Sequence, residues 1–100
     1  MKFALPKGVA VDREGRVYVV DARAQVVQIF NPEGKLLLFF GEPNASRASL
    51  FLPASVAVDY QNVDLFRQYA APGFELDYLV IVSNQYGRRK ISVYGFGHKR

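Results

Sequence analysis

An internal repeat limits what this chain can fold into more than any other feature of the sequence. Residues 5–41 (LPKGVAVDREGRVYVVDARAQVVQIFNPEGKLLLFFG) contain four short strand patterns separated by three turns, and the opening of this segment returns at Leu52-Pro53. The sequence VAVD at 56–59 then repeats residues 9–12 residue for residue. Because a repeat sets the architecture before any single residue does, the chain is predicted to contain two copies of one small sheet.

The first copy is predicted to form four antiparallel strands. Short runs rich in β-branched and apolar residues lie at 8–12, Val17–Asp21, Val26–Phe30 and Leu36–Phe40. The sequences DREG at 12–15 and NPEG at 31–34 have the composition of tight turns, in which Asp or Asn bonds the backbone and Gly takes a positive φ. The last strand is apolar throughout, which indicates a sheet that is covered on both faces.

A small antiparallel sheet with both faces covered is the unit of a β-propeller, where each blade is packed between its neighbours. A single sandwich sheet is the alternative, but a repeat that cannot bury its own faces favours the propeller. The predicted fold class is therefore all-β, with two antiparallel propeller blades. Residues 1–100 would form one domain, with blade 1 at about 5–41, a connection at 42–50 and blade 2 at about 51–97.

The second copy departs from the first in two ways. Its strands are expected at 56–59, at 79–83 opposite Val17–Asp21, and at 91–94 opposite 27–30, with no fourth strand after them. Residues 60–75 form an insertion at the point where blade 1 has its first tight turn. This insertion is the least repetitive part of the chain.

The insertion is predicted to contain a short helix over Val63–Tyr69. Asn62 would cap its start, and Pro72-Gly73 would end it. Long loops on rigid scaffolds often carry function, which makes the aromatic and basic residues of the insertion candidate partner contacts. The alternative is that the aromatic residues only fix the loop to the rim of the propeller. The candidates are Tyr60, Phe66, Arg67 and Tyr69.

Positive charge is concentrated near the end of the chain. The formal net charge is +4, and it comes from Arg88, Arg89, Lys90, Lys99 and Arg100, since the body is close to neutral. A basic cluster can contact phosphate, so Arg88, Arg89 and Lys90 are further candidate partner contacts. A solvated turn and a frayed terminus explain the same residues more simply.

With these residues laid out, the sequence resembles the NHL repeat. The matching elements are LPKGVAVD at 5–12, GRVYVVD at 15–21, VQIF at 27–30 and GKLLLFFG at 34–41. Two departures stand out: Ala22-Arg23-Ala24 replaces the asparagine-rich turn usual before the third strand, and Ser83 is aligned with Asp21. The resemblance implies a propeller that usually has six blades and serves as a scaffold for protein, RNA or small-ligand contacts.

Two blades cannot close a propeller ring, so the resemblance implies assembly. Either three copies form a six-bladed homo-oligomer, or the chain is part of a longer propeller. Residues 2–5 could add a strand to a neighbour's open edge. The apolar residues expected at the open faces and edges, where exposure would favour aggregation, are Phe3, Leu36, Leu38, Phe40, Ile91 and Val93.

No catalytic constellation is found in the sequence. His98, the only histidine, is interpreted as a tail residue, and Asp12 and Asp59 as turn caps rather than catalytic acids. Some related propellers hold Ca²⁺ or Zn²⁺ and act as lactonases or lyases, but the histidines and extra acids they need are missing here. The chain is therefore predicted to be a protein-interaction scaffold without a cofactor. The alternatives are an RNA-binding propeller face and, less favoured, a metal-dependent hydrolase or lyase.

Localisation is not determined by the sequence. Cysteine is absent, which excludes disulfides but does not settle the compartment. No apolar run approaches the roughly 20 residues needed to cross a bilayer, and the first residues lack the apolar centre of a signal peptide. The chain as given is expected to be soluble, and the resemblance implies a bacterial parent protein of a family often exported.

Overall fold

Seven strands and one short helix make up the described part of the chain. The structure is a computed structural model that describes residues 6–21, 25–41, 53–84 and 91–99. The strands are β1 (Pro6–Val11), β2 (Val17–Asp21), β3 (Val26–Phe30), β4 (Leu36–Phe40), β5 (Pro53–Asp59), β6 (Phe74–Asn84) and β7 (Ile91–Lys99), and a 3₁₀ helix spans Val63–Tyr69. No helix in these residues is long and apolar enough to span a membrane.

The strands form two antiparallel sheets in sequence order. The first, which we call blade 1, has the order β1-β2-β3-β4, and the second, blade 2, has the order β5-β6-β7. The predicted all-β class and the antiparallel meanders are confirmed. Both sheets are consistent with the blades of an NHL propeller.

The predicted turns of blade 1 have the expected chemistry. One carboxylate oxygen of Asp12 accepts hydrogen bonds from the backbone N–H groups of Glu14 and Arg16, at 2.9 and 3.0 Å. Gly15 completes this turn with a φ of +83°, a conformation that side chains with a Cβ rarely adopt. Asn31 caps the next predicted turn in the same way. The interpretation of Asp12 as a turn cap is confirmed.

The pairing of strands corrects the alignment of the two repeats by one residue. Pro6 pairs with Asp21 in blade 1, and Pro53 pairs with Asn84 in blade 2. Asn84 is therefore the counterpart of Asp21, and the predicted match of Ser83 to this position was wrong. Both polar side chains are buried, at 2% and 6% exposure. The insertion removes the tight turn that anchors the count in blade 1, so the sequence alone placed this strand one residue off.

Strands β6 and β7 are longer than predicted. Strand β6 begins at Phe74, so the last two residues of the predicted insertion belong to the sheet. His98 was predicted as a tail residue but lies within β7, where its Nδ1 is 2.8 Å from a carboxylate oxygen of Asp77. The paired residues 74–79 and 95–99 continue the sheet beyond the repeat, and we call them the strand extension.

The two blades pack face to face around the main hydrophobic core. Blade 1 contributes Tyr18, Val20, Val27 and Ile29 to this core, and blade 2 contributes Val56, Tyr78, Val80 and Val82. Gly8 allows the close approach of β1 to β5, since a Cβ at this position would lie 3.3 Å from the Cα of Ser55. We call this packed region the seam.

The insertion packs on the face of blade 2 that points away from blade 1. Val63 of the 3₁₀ helix is buried against Leu76 and Leu79 of β6. The helix lies at the predicted residues, but its predicted cap differs: the side chain of Asn62 makes no capping bond and instead donates to the carboxylate of Asp59, at 2.8 Å. Asp59 thus organises the entry to the insertion, as its counterpart Asp12 organises a turn.

Candidate functional site

A closed polar network lies at one end of the seam. The hydroxyl of Tyr18 donates to a carboxylate oxygen of Asp12 at 2.8 Å, and the hydroxyl oxygens of Tyr18 and Tyr78 are 2.6 Å apart. The guanidinium of Arg16 donates to Asp12 at 2.6 Å and reaches the Tyr78 hydroxyl at 3.5 Å. Because each hydroxyl has one proton and Tyr18 uses its own on Asp12, Tyr78 donates to Tyr18.

Burial and hydrogen bonding change the proton affinities in this network. Burial acts to raise the pKa of Asp12, but the bonds from Tyr18, Arg16 and the turn backbone outweigh it and hold this pKa below its ordinary value. Burial raises the pKa of Tyr18, and its bonds to Tyr78 and Asp12 raise it further. Burial is also the main cause of the raised pKa of Tyr78. The network therefore holds one carboxylate and two neutral phenols, which suits a structural role in linking the two blades.

An aromatic crevice opens above the network. The guanidinium of Arg13 lies 4.0 Å above the ring of Tyr60, and its backbone N–H donates to the Tyr60 hydroxyl at 3.0 Å. The ring of Tyr78 stacks on Phe96, with centroids 5.4 Å apart and 13° between the planes. The crevice has a volume of about 320 Å³ and is also lined by Arg16 and by the acidic residues Glu14 and Asp77. No carboxylate of the described residues lies within ion-pair distance of Arg13.

The structure divides the candidate contacts of the insertion between two places. Tyr60 belongs to the crevice at the seam, where its ring lies 5.3 Å from that of Tyr78. Phe66 and Tyr69 lie together on the far face of blade 2, with ring centroids 6.3 Å apart. Arg67 binds the carboxylate of Asp64 at 2.5 Å and that of Glu75 at 3.0 Å.

Phe66 and Tyr69 take different positions on that face. Phe66 is half-buried and packs against the cluster of Val63, Leu76 and Leu79, as expected for a residue that fixes the loop to the blade. Tyr69 is 77% exposed. Only Tyr69 of this pair therefore has most of its ring free for a contact.

An apolar pocket lies between the insertion and blade 2. Its volume is about 430 Å³, and none of its lining side chains carries a charge. The insertion supplies aromatic walls, while β6 and β7 supply an aliphatic floor. The lining residues are Phe66, Tyr69, Ala70, Ala71, Phe74, Leu76, Leu79, Val93 and Gly95.

The predicted assembly residues lie in three kinds of place. Ile91 and Val93 are exposed on the outer face of blade 2, and Leu36 and Leu38 are exposed on β4. Phe40 instead packs within the chain, with its ring 4.5 Å from that of Tyr94 in blade 2. Phe3 and the basic residues Arg88, Arg89 and Lys90 lie outside the described residues.

Sequence reasoning missed the polar network and the pocket. Tyr18 was assigned to a strand without a partner, and Tyr78 fell just outside the predicted strand, so nothing linked them. A signal was present in FELDYLVIV at 74–82, where apolar residues continue upstream of the predicted strand. In the described ranges, no group of three or more His, Cys, Asp or Glu side chains is placed to hold a metal ion.

Two comparisons with known proteins agree with this architecture. The model of the NHL repeat matches residues 3–30. The chain is also similar to "Protein brain tumor" of Drosophila melanogaster, with 31% identity over 87 residues, which are 87% of this chain and 8% of that protein. The chain thus spans only a small part of the length of this relative.

Both comparisons support the assignment of the repeat to the NHL type. This relative comes from a fly, so it gives no support to the expectation of a bacterial parent. The matched segment contains the first three strands of blade 1, and blade 2 repeats the pairing of Pro6 with Asp21 through Pro53 and Asn84. The chain thus contains an NHL repeat, which the family model places at residues 3–30.

Proposed function

We propose that the chain is a binding and assembly module of the NHL type, which acts as a protein-interaction scaffold and has no catalytic activity of its own. The observation that carries this proposal is the relation between the outer faces of the two blades and the seam. Each outer face is the repeat counterpart of a face that is already packed between blades.

The outer face of blade 2 corresponds to the inner face of blade 1. The corrected alignment matches Tyr18 with Ile81, and the strand pairing puts Ala57, Ile81 and Val93 on one face. The same relation holds for the other positions of this face. The residues of blade 1 that face the seam are Gly8, Ala10, Tyr18, Val20, Val27 and Ile29, and their counterparts are Ser55, Ala57, Ile81, Ser83, Ile91 and Val93.

The outer face of blade 1 corresponds in turn to the inner face of blade 2. Val9 and Val11 are 64% and 60% exposed. Their counterparts Val56 and Val58 pack in the seam. Apolar side chains in this arrangement favour burial by another blade, at about 25 cal/mol for each Å² removed from water.

These two faces support assembly with further blades. Three copies of the chain would supply six blades in a closed ring, with each contact made by blade 2 of one copy and blade 1 of the next. A longer parent protein would supply the missing blades within one chain. In either case, residues 1–100 form the two-blade unit of the scaffold.

Light scattering during size-exclusion chromatography tests self-assembly. We expect a mass near three times the 11.3 kDa of the chain. Val93→Lys should lower the mass to that of the monomer, because a charge would be buried between blades. The matched control is Leu65→Lys, which changes an exposed leucine of the 3₁₀ helix to the same residue. A wild-type monomer, or equal masses for both variants, would argue against the ring of copies.

The crevice at the seam supports a second candidate, an RNA-binding face. Arg13 can contact a phosphate, and the rings of Tyr60 and Phe96 offer surfaces for base stacking. Retention of single-stranded RNA should fall with added salt, and Arg13→Ala should weaken it at every salt concentration. Retention that is unchanged by both salt and Arg13→Ala would rule out this use of the crevice.

A further inference from the structure

The seam contains a slot that two aromatic rings fill. Tyr78 and Phe96, both on the strand extension, pack beside Tyr18 of blade 1, with each ring centroid 6.4 Å from that of Tyr18. The strand extension has no counterpart in blade 1, where β2 begins at Val17 and β3 ends at Phe30. A blade 1 docked on the outer face of blade 2 would therefore bring no rings to the equivalent slot.

The equivalent slot beside blade 2 is the apolar pocket. Val93, the counterpart of Ile29, lines this pocket. Leu79 and Gly95 also line it, and they lie on the face of the strand extension opposite to Tyr78 and Phe96. The ring of Phe66 in the insertion and the ring of Phe74 at the start of β6 close its sides. The insertion thus turns a slot that is filled in the seam into a pocket that stays open.

Contacts within blade 2 hold the pocket in shape. Arg67 bridges Asp64 of the helix and Glu75 of β6, which ties the helix to the sheet. Leu79 of β6 is 1% exposed and forms part of the pocket floor. A Cβ at Gly95 would lie 2.6 Å from a methyl carbon of Leu76, so a side chain there would displace the pocket floor. The pocket is built by one blade and does not require a second copy of the chain.

We propose that this pocket binds a small, uncharged aromatic molecule of two or three rings. Its volume of about 430 Å³ lies within the range of roughly 300–1,000 Å³ typical of small-molecule sites. Aromatic walls favour edge or offset contacts with a ligand ring, as Tyr78 and Phe96 make with Tyr18 in the seam. The absence of charged lining side chains disfavours an ionised ligand, which would lose its hydration without a partner.

Fluorescence titration of the full chain with N-phenyl-1-naphthylamine, an uncharged probe that brightens in apolar sites, tests the proposal. We expect saturable binding of one probe per chain. Tyr69→Ser should weaken probe binding about tenfold, because it removes an exposed aromatic wall. Leu65→Ser is the matched control: Leu65 is on the same helix, is 66% exposed and does not line the pocket. Both residues are exposed, so neither change should affect folding.

Two further arms separate the pocket from other sites. Ile91→Ser removes an exposed apolar residue from the same face of blade 2 outside the pocket, and it should leave probe binding unchanged. 2-Naphthol should displace the probe at lower concentration than 2-naphthalenesulfonate does. Equal loss with Ile91→Ser and Tyr69→Ser would overturn the proposal in favour of general binding to the open face. Displacement by the capped peptide acetyl-Gly-Phe-Gly-amide at lower concentration than by 2-naphthol would overturn it in favour of a peptide.

Discussion

The hydroxyl oxygens of Tyr18 and Tyr78 lie 2.6 Å apart, in the buried seam between the two blades. One ring belongs to each blade, and the Tyr18 hydroxyl donates a hydrogen bond to the carboxylate of Asp12. A buried hydroxyl has to be hydrogen-bonded to offset its lost hydration. The pair therefore favours one alignment of the blades, because a sliding blade would take the buried hydroxyl of Tyr78 away from its partners Tyr18 and Arg16 in blade 1.

Removing the Tyr78 hydroxyl should destabilise the chain. Tyr78→Phe keeps the ring stacked on Phe96 but removes the donor to Tyr18, and we expect the free energy of unfolding to fall by about 1–2 kcal/mol. Urea denaturation measures this change. Tyr69→Phe is the control, because its ring is mostly exposed, and it should have no effect. Equal effects of the two substitutions would contradict a specific role of the buried pair.

Stability should fall at acid pH through Asp12. Its pKa is lowered in the folded chain from an ordinary value of 3.8. The resulting stabilisation is present above this value and is lost as pH falls through the lower, folded pKa. Asp12→Asn should flatten the dependence of unfolding free energy on pH below about 4. A wild-type profile as flat as that of the variant would contradict this role.

Asp59 complicates the acid profile and needs its own variant. Bonds from the backbone N–H and side chain of Asn62 also lower the pKa of Asp59, which is an exposed group. Because solvent screens an exposed carboxylate, Asp59→Asn should change the acid profile less than Asp12→Asn does. The reverse order would show that the bonds of Asp59 at the start of the insertion, rather than the network at the seam, dominate acid unfolding.

Alkaline pH should destabilise the chain through Tyr18. Burial raises the pKa of Tyr18 above the ordinary value of 10.0, and its hydrogen bonds with Tyr78 and Asp12 raise it further. A raised pKa gives stabilisation that is complete below the unfolded pKa and is lost as pH rises above it. Urea midpoints of the wild type should therefore fall above pH of about 10, and those of Tyr18→Phe should fall less. Parallel profiles for the two proteins would disprove this assignment.

The sequence predicted the strands of blade 1 well because each is set by local chemistry. Asp12, Gly15 and Asn31 define the turns, and β-branched residues fill the strands between them. The strands of blade 2 were harder to predict because the insertion has no counterpart in blade 1. The alignment after the insertion therefore depended only on the pattern of apolar residues. In such a run a shift by one residue exchanges the two faces of the sheet. The register is fixed by the strand pairing, which puts Pro53 opposite Asn84 and Ser55 opposite Ser83.

The seam network and the pocket could not be predicted for a different reason. Tyr18 and Tyr78 are far apart in sequence, and their contact depends on how one blade is rotated against the other. The pocket depends on which face of blade 2 the insertion crosses, and helical spacing of Phe66 and Tyr69 does not determine this. Both features arise from packing between elements, for which the repeat pattern carries no signal.

A glycine should be preferred at position 25. Gln25 is the one residue other than glycine with a positive φ, 58°, in the described part of the chain. A left-handed conformation costs a residue with a Cβ about 1 kcal/mol or more, so Gln25→Gly should raise the free energy of unfolding by about 0.5–1 kcal/mol. Gln68→Gly, in the 3₁₀ helix, should lower it. Destabilisation by both changes would show that the side chain of Gln25 matters more than its backbone.

Enlarging Gly8 should force the blades apart. A Cβ at this position would lie 3.3 Å from the Cα of Ser55 and 3.4 Å from the carbonyl oxygen of Ala54, and neither backbone atom can move without shifting β5. Valine adds two more methyl groups, so Gly8→Val should lower the free energy of unfolding by about 1–3 kcal/mol. Valine otherwise favours a strand over glycine, so a loss of stability would report the crowding between blades. Ser55→Val is the matched control, because Ser55 is the repeat counterpart of Gly8 and is exposed on the outer face of blade 2. If urea denaturation shows Gly8→Val to be as stable as Ser55→Val, then β1 and β5 are not in close contact in solution.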